Sequence, residues 1–458
     1  MTNKVPFLLL ASAFVAAMIA GCKDPNPQPE PEPDPSEYEA LVLSVPVTDD
    51  NWVFDARPVI YIHAENPNDV ALTAECKMRI STDKGKTLLT VEKSVKIPAN
   101  GSEDIMMTTE EDLEPGFYKA ACFANNRSAR IFTFGVNPTA IVSAPDMQAD
   151  FNSFWDATIS QLEAVDMDAQ LFELPKASSA ARKAYMVEMK SLPDGLNGEP
   201  VTIHGYYLEP QDGKKHPVVI HYYGYDDLKP SGVLYCPSGG SSQEYAEFYL
   251  STRGQVINNR TAAQRGDGLE MDFHNDYGDW FAFNFGQRDA YYYRGAFMDC
   301  VQAIRFMATR QTSDMSNLFA EGKSQGGAFS YAAAALSPYP LSAVAPGVAF
   351  LGDFPDYFQI VDWPKNVALS NQGSMSDAEM YAFLSYFDTK NLATRITCPV
   401  IANVCLQDVT CPPHTNIAPF NNLSNPDKEV YFYPTLGHEI PSGWDNKYMA
   451  FFKARIKQ

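Results

Sequence analysis

The stretch E-G-K-S-Q-G-G at residues 321–327 contains the pattern G-x-S-x-G. At a turn from a strand into a helix, this pattern holds the serine on a sharp bend, with its hydroxyl above the end of a sheet. The flanks fit such a turn, because Asn317 to Ala320 predict a short apolar strand and Ala328 to Leu336 predict a small-residue helix. Ser324 is therefore a candidate nucleophile.

Two later strands supply candidates for the partners of this serine. A serine hydroxyl needs a base to take its proton and a carboxylate to orient that base. Pro399 to Val404 predict a strand followed by Asp408. Glu429 to Tyr433 predict the next strand, which is followed by His438. Serine, acid and histidine thus come in the chain order of an α/β hydrolase.

Two other histidines are weaker candidates for the base. His414 comes too soon after the acid strand and His221 precedes the serine, so both are expected at the pocket rim or in structural roles. The pair His438-Glu439 lacks the second histidine of H-E-x-x-H, so the sequence does not contain the zinc-peptidase motif.

The segment Pro217 to Tyr225 predicts donors for an oxyanion. Its apolar part reads as a buried strand, and it ends in Tyr223-Gly224-Tyr225. A strand end beside the serine turn can aim a main-chain N–H at the oxyanion formed in acyl transfer. The N–H groups of Tyr225 and Gln325 are the predicted donors. The alternative is an aromatic edge packed around the pocket.

Hydrophobic periodicity predicts two regions of different fold. Residues 39–138 contain short alternating runs separated by turn signals, as in an immunoglobulin-like β-sandwich. Residues 139–458 begin with an amphipathic helix near Phe151 to Leu162 and then alternate strands with helices, which predicts a doubly wound α/β domain. We expect the sandwich to be a spacer or packing module, with glycan binding as the alternative.

The first 38 residues predict export and tethering. Residues 1–21 read as a bacterial lipoprotein signal peptide, and its box Ile19-Ala20-Gly21-Cys22 makes Cys22 the lipidated residue. Its apolar run is shorter than the roughly 20 residues that span a bilayer, which disfavours a transmembrane helix. Residues 22–38 have proline at every second position from Pro25 to Pro35 and predict an extended acidic tether. A lipid-anchored protein of the bacterial cell envelope, in the periplasm or on the outer-membrane surface, is expected.

The charge of the chain excludes two classes of partner. Its formal net charge is −21, and it becomes −22 once residues 1–21, with one lysine and no acid, are removed. A chain this acidic is repelled by nucleic acid and by anionic membrane surfaces. Contact with a membrane is therefore expected only through the lipid anchor.

The cysteines leave their pairing open. Seven remain after Cys22, so at least one is unpaired within the chain, and none of the spacings is a C-x-x-C motif. Cys76 and Cys122 either bridge two strands in the oxidising envelope or are both buried thiols.

Several ordered blocks extend the serine motif to a family resemblance. They are R-G-Q at 253–255, D-A-Y-Y-Y-R-G at 289–295, G-K-S-Q-G-G at 322–327, L-S-Y-F-D-T-K-N-L-A at 384–393, D-V-T-C-P-P at 408–413 and H-E at 438–439. Together they resemble the acetyl xylan esterase and cephalosporin-C deacetylase family, carbohydrate esterase family seven. The similarity runs from about residue 150 to the C-terminus. The chain departs from the family at residues 223–225, where the family usually has His-Gly-Tyr.

The resemblance implies an α/β hydrolase that removes acetyl groups from xylose-based sugars. It implies no metal and no other cofactor, an acetylated xylo-oligosaccharide or similar small ester as substrate, and often a ring of identical subunits. The family roles make Ser324 the nucleophile, His438 the base and acid, and Asp408 the carboxylate that orients His438.

The resemblance also assigns the surroundings of the triad. The main-chain N–H groups of Tyr225 and Gln325 are implied to form the oxyanion hole, with Arg253 and Gln255 as structural supports. The aromatic run at 291–293, or Trp280, is a candidate surface for stacking against the sugar.

Two other classes of protein remain as alternatives. A serine peptidase of the prolyl-oligopeptidase type shares G-x-S-x-G-G, but it needs a much larger gating domain than residues 39–138 provide. A catalytically silent lipoprotein that binds glycans through the sandwich is the second alternative, which the complete set of triad residues disfavours.

Overall fold

The computed structural model describes residues 38–194, 198–225, 236–237, 242–255 and 277–458. The predicted signal peptide, Cys22 and the tether up to residue 37 lie outside these ranges. Within them, no helix has both the length and the apolar character needed to cross a membrane. Residues Leu41–Gln458 form one compact unit.

The N-terminal region is all β. A three-stranded sheet has the order β1-β3-β6, and a five-stranded sheet has the order β2-β8-β7-β4-β5. Every second residue of β4 from Ala74 to Ile80 is buried, which is the period-two pattern of a strand with one face on the core. The strands are β1 Val42–Ser44, β2 Val53–Phe54, β3 Val59–Glu65, β4 Leu72–Thr82, β5 Thr87–Ile97, β6 Ser102–Thr108, β7 Gly116–Ala124 and β8 Arg127–Val136.

A mixed nine-stranded sheet forms the centre of the rest of the chain. Its order is β17-β16-β15-β14-β12-β13-β11-β10-β9. The strands from β12 to β17 run parallel, whereas β9, β10 and β11 pair antiparallel at one end. The strands are β9 Gln170–Glu173, β10 Arg182–Ser191, β11 Val201–Pro210, β12 His216–Tyr222, β13 Ala246–Ser251, β14 Ser313–Lys323, β15 Ala343–Gly347, β16 Val400–Cys405 and β17 Lys428–Tyr433.

Helices cover this sheet. The predicted amphipathic helix is α1, which buries Phe151, Phe154, Trp155 and Leu162 on one side. By contrast, α2 is buried almost all round. The helices are α1 Phe151–Glu163, α2 Tyr292–Ala308, α3 Gln325–Leu336, α4 Phe354–Ile360, α5 Asp362–Asn371, α6 Asp377–Leu384, α7 Thr389–Leu392, α8 Pro413–Asn421 and α9 Trp444–Lys453.

The predicted fold class is confirmed: an all-β region precedes an α/β region built on a mostly parallel sheet. The main cluster of buried apolar residues contains members of both regions, and two smaller clusters lie within the α/β region. The predicted boundary between residues 138 and 139 stays a prediction.

The cysteines of the described residues are all free thiols. Cys122 on β7 lies opposite Met78 in the pairing with β4, and Cys76 lies opposite Ala124. Burial raises the pKa of the Cys122 thiol to about 12. Of the two predicted alternatives for this pair, the structure has the buried thiols.

The parallel strands bring the candidate residues to one edge of the sheet. Because β12, β14, β16 and β17 run in the same direction, their carboxyl ends meet at that edge. Ser324 follows β14, Asp408 follows β16, and His438 follows β17.

Candidate active site

Ser324 lies at the sharp turn between β14 and α3. Its backbone has φ 57° and ψ −121°, a region that residues with a side chain rarely adopt. Two glycines make this turn possible. A Cβ on Gly322 would lie 2.4 Å from the Gly326 carbonyl oxygen, and one on Gly326 would lie 2.2 Å from the Tyr222 carbonyl oxygen. The turn also receives main-chain support, because the Ser324 N–H donates to Gly347 at 2.9 Å.

His438 lies between Ser324 and Asp408. Its Nε2 is 2.9 Å from the Ser324 Oγ, and its Nδ1 is 2.7 Å from the Asp408 Oδ2. With Nδ1 protonated, the imidazole donates to the carboxylate and accepts from the serine hydroxyl. The Asp408 side chain has no exposed surface, whereas 26% of the His438 side chain is exposed. The three predicted residues are therefore in the relative positions that proton transfer from the serine requires.

The loop after β16 fixes the carboxylate of Asp408. Its Oδ1 accepts the main-chain N–H groups of Thr410 and Cys411, each at 2.8 Å. Its Oδ2 is left for His438. Since both oxygens are held, the carboxylate has one orientation relative to its own loop.

The Gly224–Tyr225 peptide lies beside Ser324. A Cβ on Gly224 would be 3.7 Å from the Cβ of Ser324. The Gly224 carbonyl accepts from the Gln255 side-chain Nε2 at 3.3 Å. In a trans peptide the N–H points opposite to the C=O, so Gln255 sets the direction of the Tyr225 N–H.

The second predicted donor is the N–H of Gln325, the first residue of α3. The first N–H groups of a helix have no partner within the helix and carry its positive dipole end. The side-chain Oε1 of Gln325 accepts from the Tyr293 hydroxyl at 2.8 Å inside the core, which keeps that side chain away from the solvent. The oxyanion role of these two N–H groups stays a prediction.

Arg253 forms a buried ion pair that joins the end of β13 to α2. Its Nε and Nη2 donate to the two oxygens of Asp299 at 2.9 and 2.6 Å. Its Nη2 also donates to the Leu192 carbonyl at 2.9 Å. The guanidinium and carboxylate are 1% and 0% exposed. Gln255 is two residues from this anchor, so the pair fixes the strand end from which Gln255 reaches the Gly224 carbonyl.

The predicted sugar-stacking surface is wrong. Tyr291, Tyr292 and Tyr293 are 2%, 1% and 0% exposed, and Trp280 is 0% exposed. Trp280 stacks against Tyr292 with ring centroids 5.3 Å apart. These rings form the core beneath the site, where no sugar can reach them.

His221 and His414 both lie in buried ion-pair networks. The imidazole of His221 contacts Glu321 at 2.6 Å and Glu247 at 3.3 Å. Burial alone would lower the pKa of His221, but its hydrogen bonds to these two carboxylates outweigh the burial and raise it to about 9. In the same way, Asp353 and Asp356 raise the pKa of the buried His414 to about 9. Neither histidine contacts Ser324, which agrees with the structural roles expected for them.

The described residues contain one group with the spacing of metal ligands: Asp353, Asp356 and His414. Lys390 lies 2.9 Å from the Asp353 carboxylate and Lys84 lies 2.5 Å from that of Asp356. A histidine must be neutral to bind a metal, and the carboxylates here already face cations. This group is therefore built as an ion-pair network.

Sequence reasoning missed two residues of the acid loop. The thiol of Cys411 is buried, which raises its pKa well above the usual value, and interactions with the side chains of Tyr357 and Ser324 oppose this rise. Gln407 reaches the N-terminal region with its side chain. The block D-V-T-C-P-P marked the position of Cys411, but only the fold shows that the thiol is buried close to the serine.

A serine on a strained strand-to-helix turn, hydrogen-bonded to a histidine above a mostly parallel sheet, defines a serine hydrolase of the α/β-hydrolase type. Residues 142–456 match the model of the family described as acetyl xylan esterase (AXE1). This match covers more than half of the chain, so the chain belongs to that family and is an esterase. The predicted family resemblance is confirmed, and all eight strands of the N-terminal region lie outside the matched residues.

Individual proteins of known sequence or structure agree with this assignment. The chain is 25% identical over 402 residues to acetyl esterase Axe7A of Xylanibacter ruminicola, covering 83% of each chain. It is 26% identical to the solved acetyl xylan esterase from Paenibacillus sp. R4, with a TM-score of 0.56 over 69% of this chain and 98% of that one. Acetyl xylan esterase 1 from Thermoanaerobacterium sp. JW/SL YS485 shares the fold at 23% identity, with a TM-score of 0.55 over 69% and 96% of the two chains.

Proposed function

We propose that this esterase removes O-acetyl groups from acetylated xylan or xylo-oligosaccharides through an acetyl intermediate on Ser324. The observation that carries the proposal is the position of His438, 2.9 Å from the Ser324 hydroxyl and 2.7 Å from the Asp408 carboxylate. The names of the relatives, an acetyl esterase and acetyl xylan esterases, support acetylated xylan as the substrate class.

Acylation begins with proton transfer from Ser324. The Nε2 of His438 takes the hydroxyl proton while the Ser324 oxygen attacks the acetyl carbonyl carbon. The carbonyl oxygen becomes an oxyanion that accepts from the N–H groups of Tyr225 and Gln325. Each donor of this kind contributes about 3 kcal/mol to transition-state stabilisation. Asp408 stabilises the imidazolium that has formed.

The tetrahedral intermediate then expels the sugar. The imidazolium of His438 gives its proton to the leaving sugar oxygen, and the acetyl group stays on Ser324. A water molecule enters, loses a proton to His438 and attacks the acetyl-serine carbonyl through the same oxyanion site. Acetate leaves, and the proton returns from His438 to the Ser324 oxygen.

The experiment that tests the proposal measures acetate release by the chain from residue 37 onward, since residues 41–458 form one compact unit. Acetylated xylo-oligosaccharides and a small aryl acetate serve as substrates, and Ser324→Ala is the matched variant. We expect release from both substrates by the wild type and none above background by Ser324→Ala. Aryl acetate cleavage without sugar deacetylation would reject xylan as the substrate class, and equal release by the variant would reject Ser324 as the nucleophile.

The location of the enzyme is part of the proposal. Residues 1–21 and Cys22 support a lipid anchor in the bacterial cell envelope. The family resemblance, which implies a ring of identical subunits, supports a homo-oligomer. Fractionation of cells that produce the full chain tests the anchor. Wild type is expected with the membranes and Cys22→Ser in the soluble fraction, whereas membrane retention of Cys22→Ser would refute the anchor.

A further inference from the structure

The side chain of Gln407 connects the acid loop to the N-terminal region. Gln407 directly precedes Asp408, and its Oε1 accepts the Thr133 N–H at 2.9 Å. Its Nε2 donates to the Thr133 carbonyl at 3.0 Å. One amide group thus satisfies both main-chain groups of a residue 274 positions away in the sequence.

These two bonds occupy an open strand edge. Thr133 lies on β8, opposite Lys119 of β7. On the other side of β8, the described part of β2 pairs only with Gly135 and Val136. The main chain of Thr133 therefore points away from β7, and the Gln407 amide takes the place that a neighbouring strand would fill. Because there are two hydrogen bonds, they fix the orientation of the Gln407 amide relative to β8 as well as its distance from the strand.

The same amide also reaches the loop that carries His438. The Nε2 of Gln407 donates to the Pro434 carbonyl at 2.6 Å. The Gln407 main-chain N–H donates to the Leu436 carbonyl at 3.0 Å. Gln407 is therefore the point at which the acid loop, the histidine loop and β8 meet.

A second contact with the N-terminal region holds the far end of the acid loop. His414 is in the first turn of α8, directly after the loop, and its Nδ1 lies 3.6 Å from the carboxylate of Asp83. Asp83 is in the turn between β4 and β5, and its neighbour Lys84 pairs with Asp356 of α4. The loop that contains Asp408 is thus held at both ends by the N-terminal region.

We propose that Gln407 is a positioning residue for the esterase reaction and that the N-terminal all-β region is part of the catalytic framework. This inference rests on the proposed function, in which Asp408 orients His438. The bonds from Thr410 and Cys411 fix the carboxylate only within its own loop. The Gln407 amide fixes that loop relative to the histidine loop, and a displacement of about 1 Å in such a site costs about 100-fold in rate.

The main test is the kinetics of Gln407→Met in the full chain, purified in mild detergent and assayed with an aryl acetate. Methionine has nearly the same length but donates no hydrogen bond. We expect kcat to fall by roughly 10- to 100-fold while KM changes by less than about twofold, because the loss falls on the chemical step. Thermal melting of each variant checks that the chain is folded at the assay temperature.

Asn421→Ala is the matched control. The Nδ2 of Asn421 donates to the Pro138 and Ile141 carbonyls at 3.0 and 2.9 Å, so this variant also loses two bonds to the segment that joins the two regions. Asn421 touches neither the acid loop nor the histidine loop through these bonds. We expect its kcat to equal that of the wild type. An equal loss of kcat in both variants would show a merely structural effect and overturn the inference.

Thr133→Pro tests the contact from the other side. Proline lacks the N–H that Gln407 accepts, and a proline is tolerated at a strand edge whose N–H faces outward. If the two residues act through one contact, the double variant with Gln407→Met has no lower kcat than the worse single variant. Additive losses, or a wild-type kcat for Thr133→Pro, would reject the role of the N-terminal region. If Gln407→Met does not fold, the kcat of Thr133→Pro alone tests the contact.

Ser324→Ala distinguishes a failure of the proposed function from a failure of this inference. Activity that survives in Ser324→Ala refutes the proposed function. Activity that depends on Ser324 but is unchanged in Gln407→Met refutes only the positioning role.

Discussion

At the scale of single residues, Asp408 shows how much of the site depends on one proton. Its Oδ2 requires a proton on the Nδ1 of His438, which leaves Nε2 free to accept from Ser324. Nothing else among the described contacts of His438 selects this tautomer. The carboxylate therefore acts by deciding which imidazole nitrogen is the base.

Asp408→Asn is expected to lower kcat by about 10³- to 10⁴-fold with little loss of stability. The asparagine oxygen can still accept from Thr410 and Cys411, so its NH₂ faces His438 and the imidazole must carry its proton on Nε2. Steady-state kinetics on an aryl acetate measure the effect. Val409→Ala, at a neighbouring side chain that is 79% exposed, is the control and should keep wild-type kcat. A loss below tenfold in Asp408→Asn would contradict the assigned role.

At the scale of strands and helices, local sequence patterns predict the elements that carry the site. The serine turn depends on Gly322 and Gly326, because a Cβ at either position would lie only 2.4 or 2.2 Å from a backbone oxygen. Both glycines can be identified directly in the sequence. Likewise, the strands before Asp408 and His438 are short apolar runs whose ends could be read directly. Their order along the chain was then enough to predict which loops meet.

Contacts between distant elements could not be predicted in this way. The aromatic run at Tyr291 to Tyr293 begins α2, and composition does not distinguish a ring that faces a ligand from one that is covered on every side. The Gln407 side chain bonds to the main chain of Thr133, and every residue type offers the same main-chain carbonyl. The residue type at position 133 therefore does not reveal the contact. Such contacts depend on how the two regions pack against each other, and local hydrophobic periodicity does not predict that packing.

At the scale of the whole molecule, His414 belongs to the charged network between the N-terminal region and the α/β region. It faces Asp83 from the turn after β4, and Asp353 and Asp356 from the start of α4. Lys84 and Lys390 complete the network by pairing with these last two carboxylates. Protonated His414 is therefore a cation shared by acids of both regions.

This network predicts that the enzyme loses stability at alkaline pH. Burial opposes the charge on His414, but hydrogen bonds to Asp353 and Asp356 raise its pKa from 6.5 to about 9. A group with a raised pKa in the folded state contributes its full stabilisation below the unfolded value, and that stabilisation is lost as the pH rises through the folded value. The free energy of unfolding should therefore fall by about 1–3 kcal/mol between pH 6.5 and pH 9.5 on account of His414.

Urea unfolding at pH 6.5 and pH 9.5 measures this change, and His414→Gln isolates it. Glutamine keeps hydrogen-bonding groups but carries no titratable proton, so the variant should be less stable than the wild type at pH 6.5 and nearly equal to it at pH 9.5. Other groups that titrate in this range, His221 among them, contribute to both proteins and cancel in the difference. A difference in stability that is the same at both pH values would mean that His414 is held by packing alone. Because His414 directly follows the acid loop, the expected convergence would also mean that alkaline pH releases one of the two points at which the N-terminal region holds Asp408.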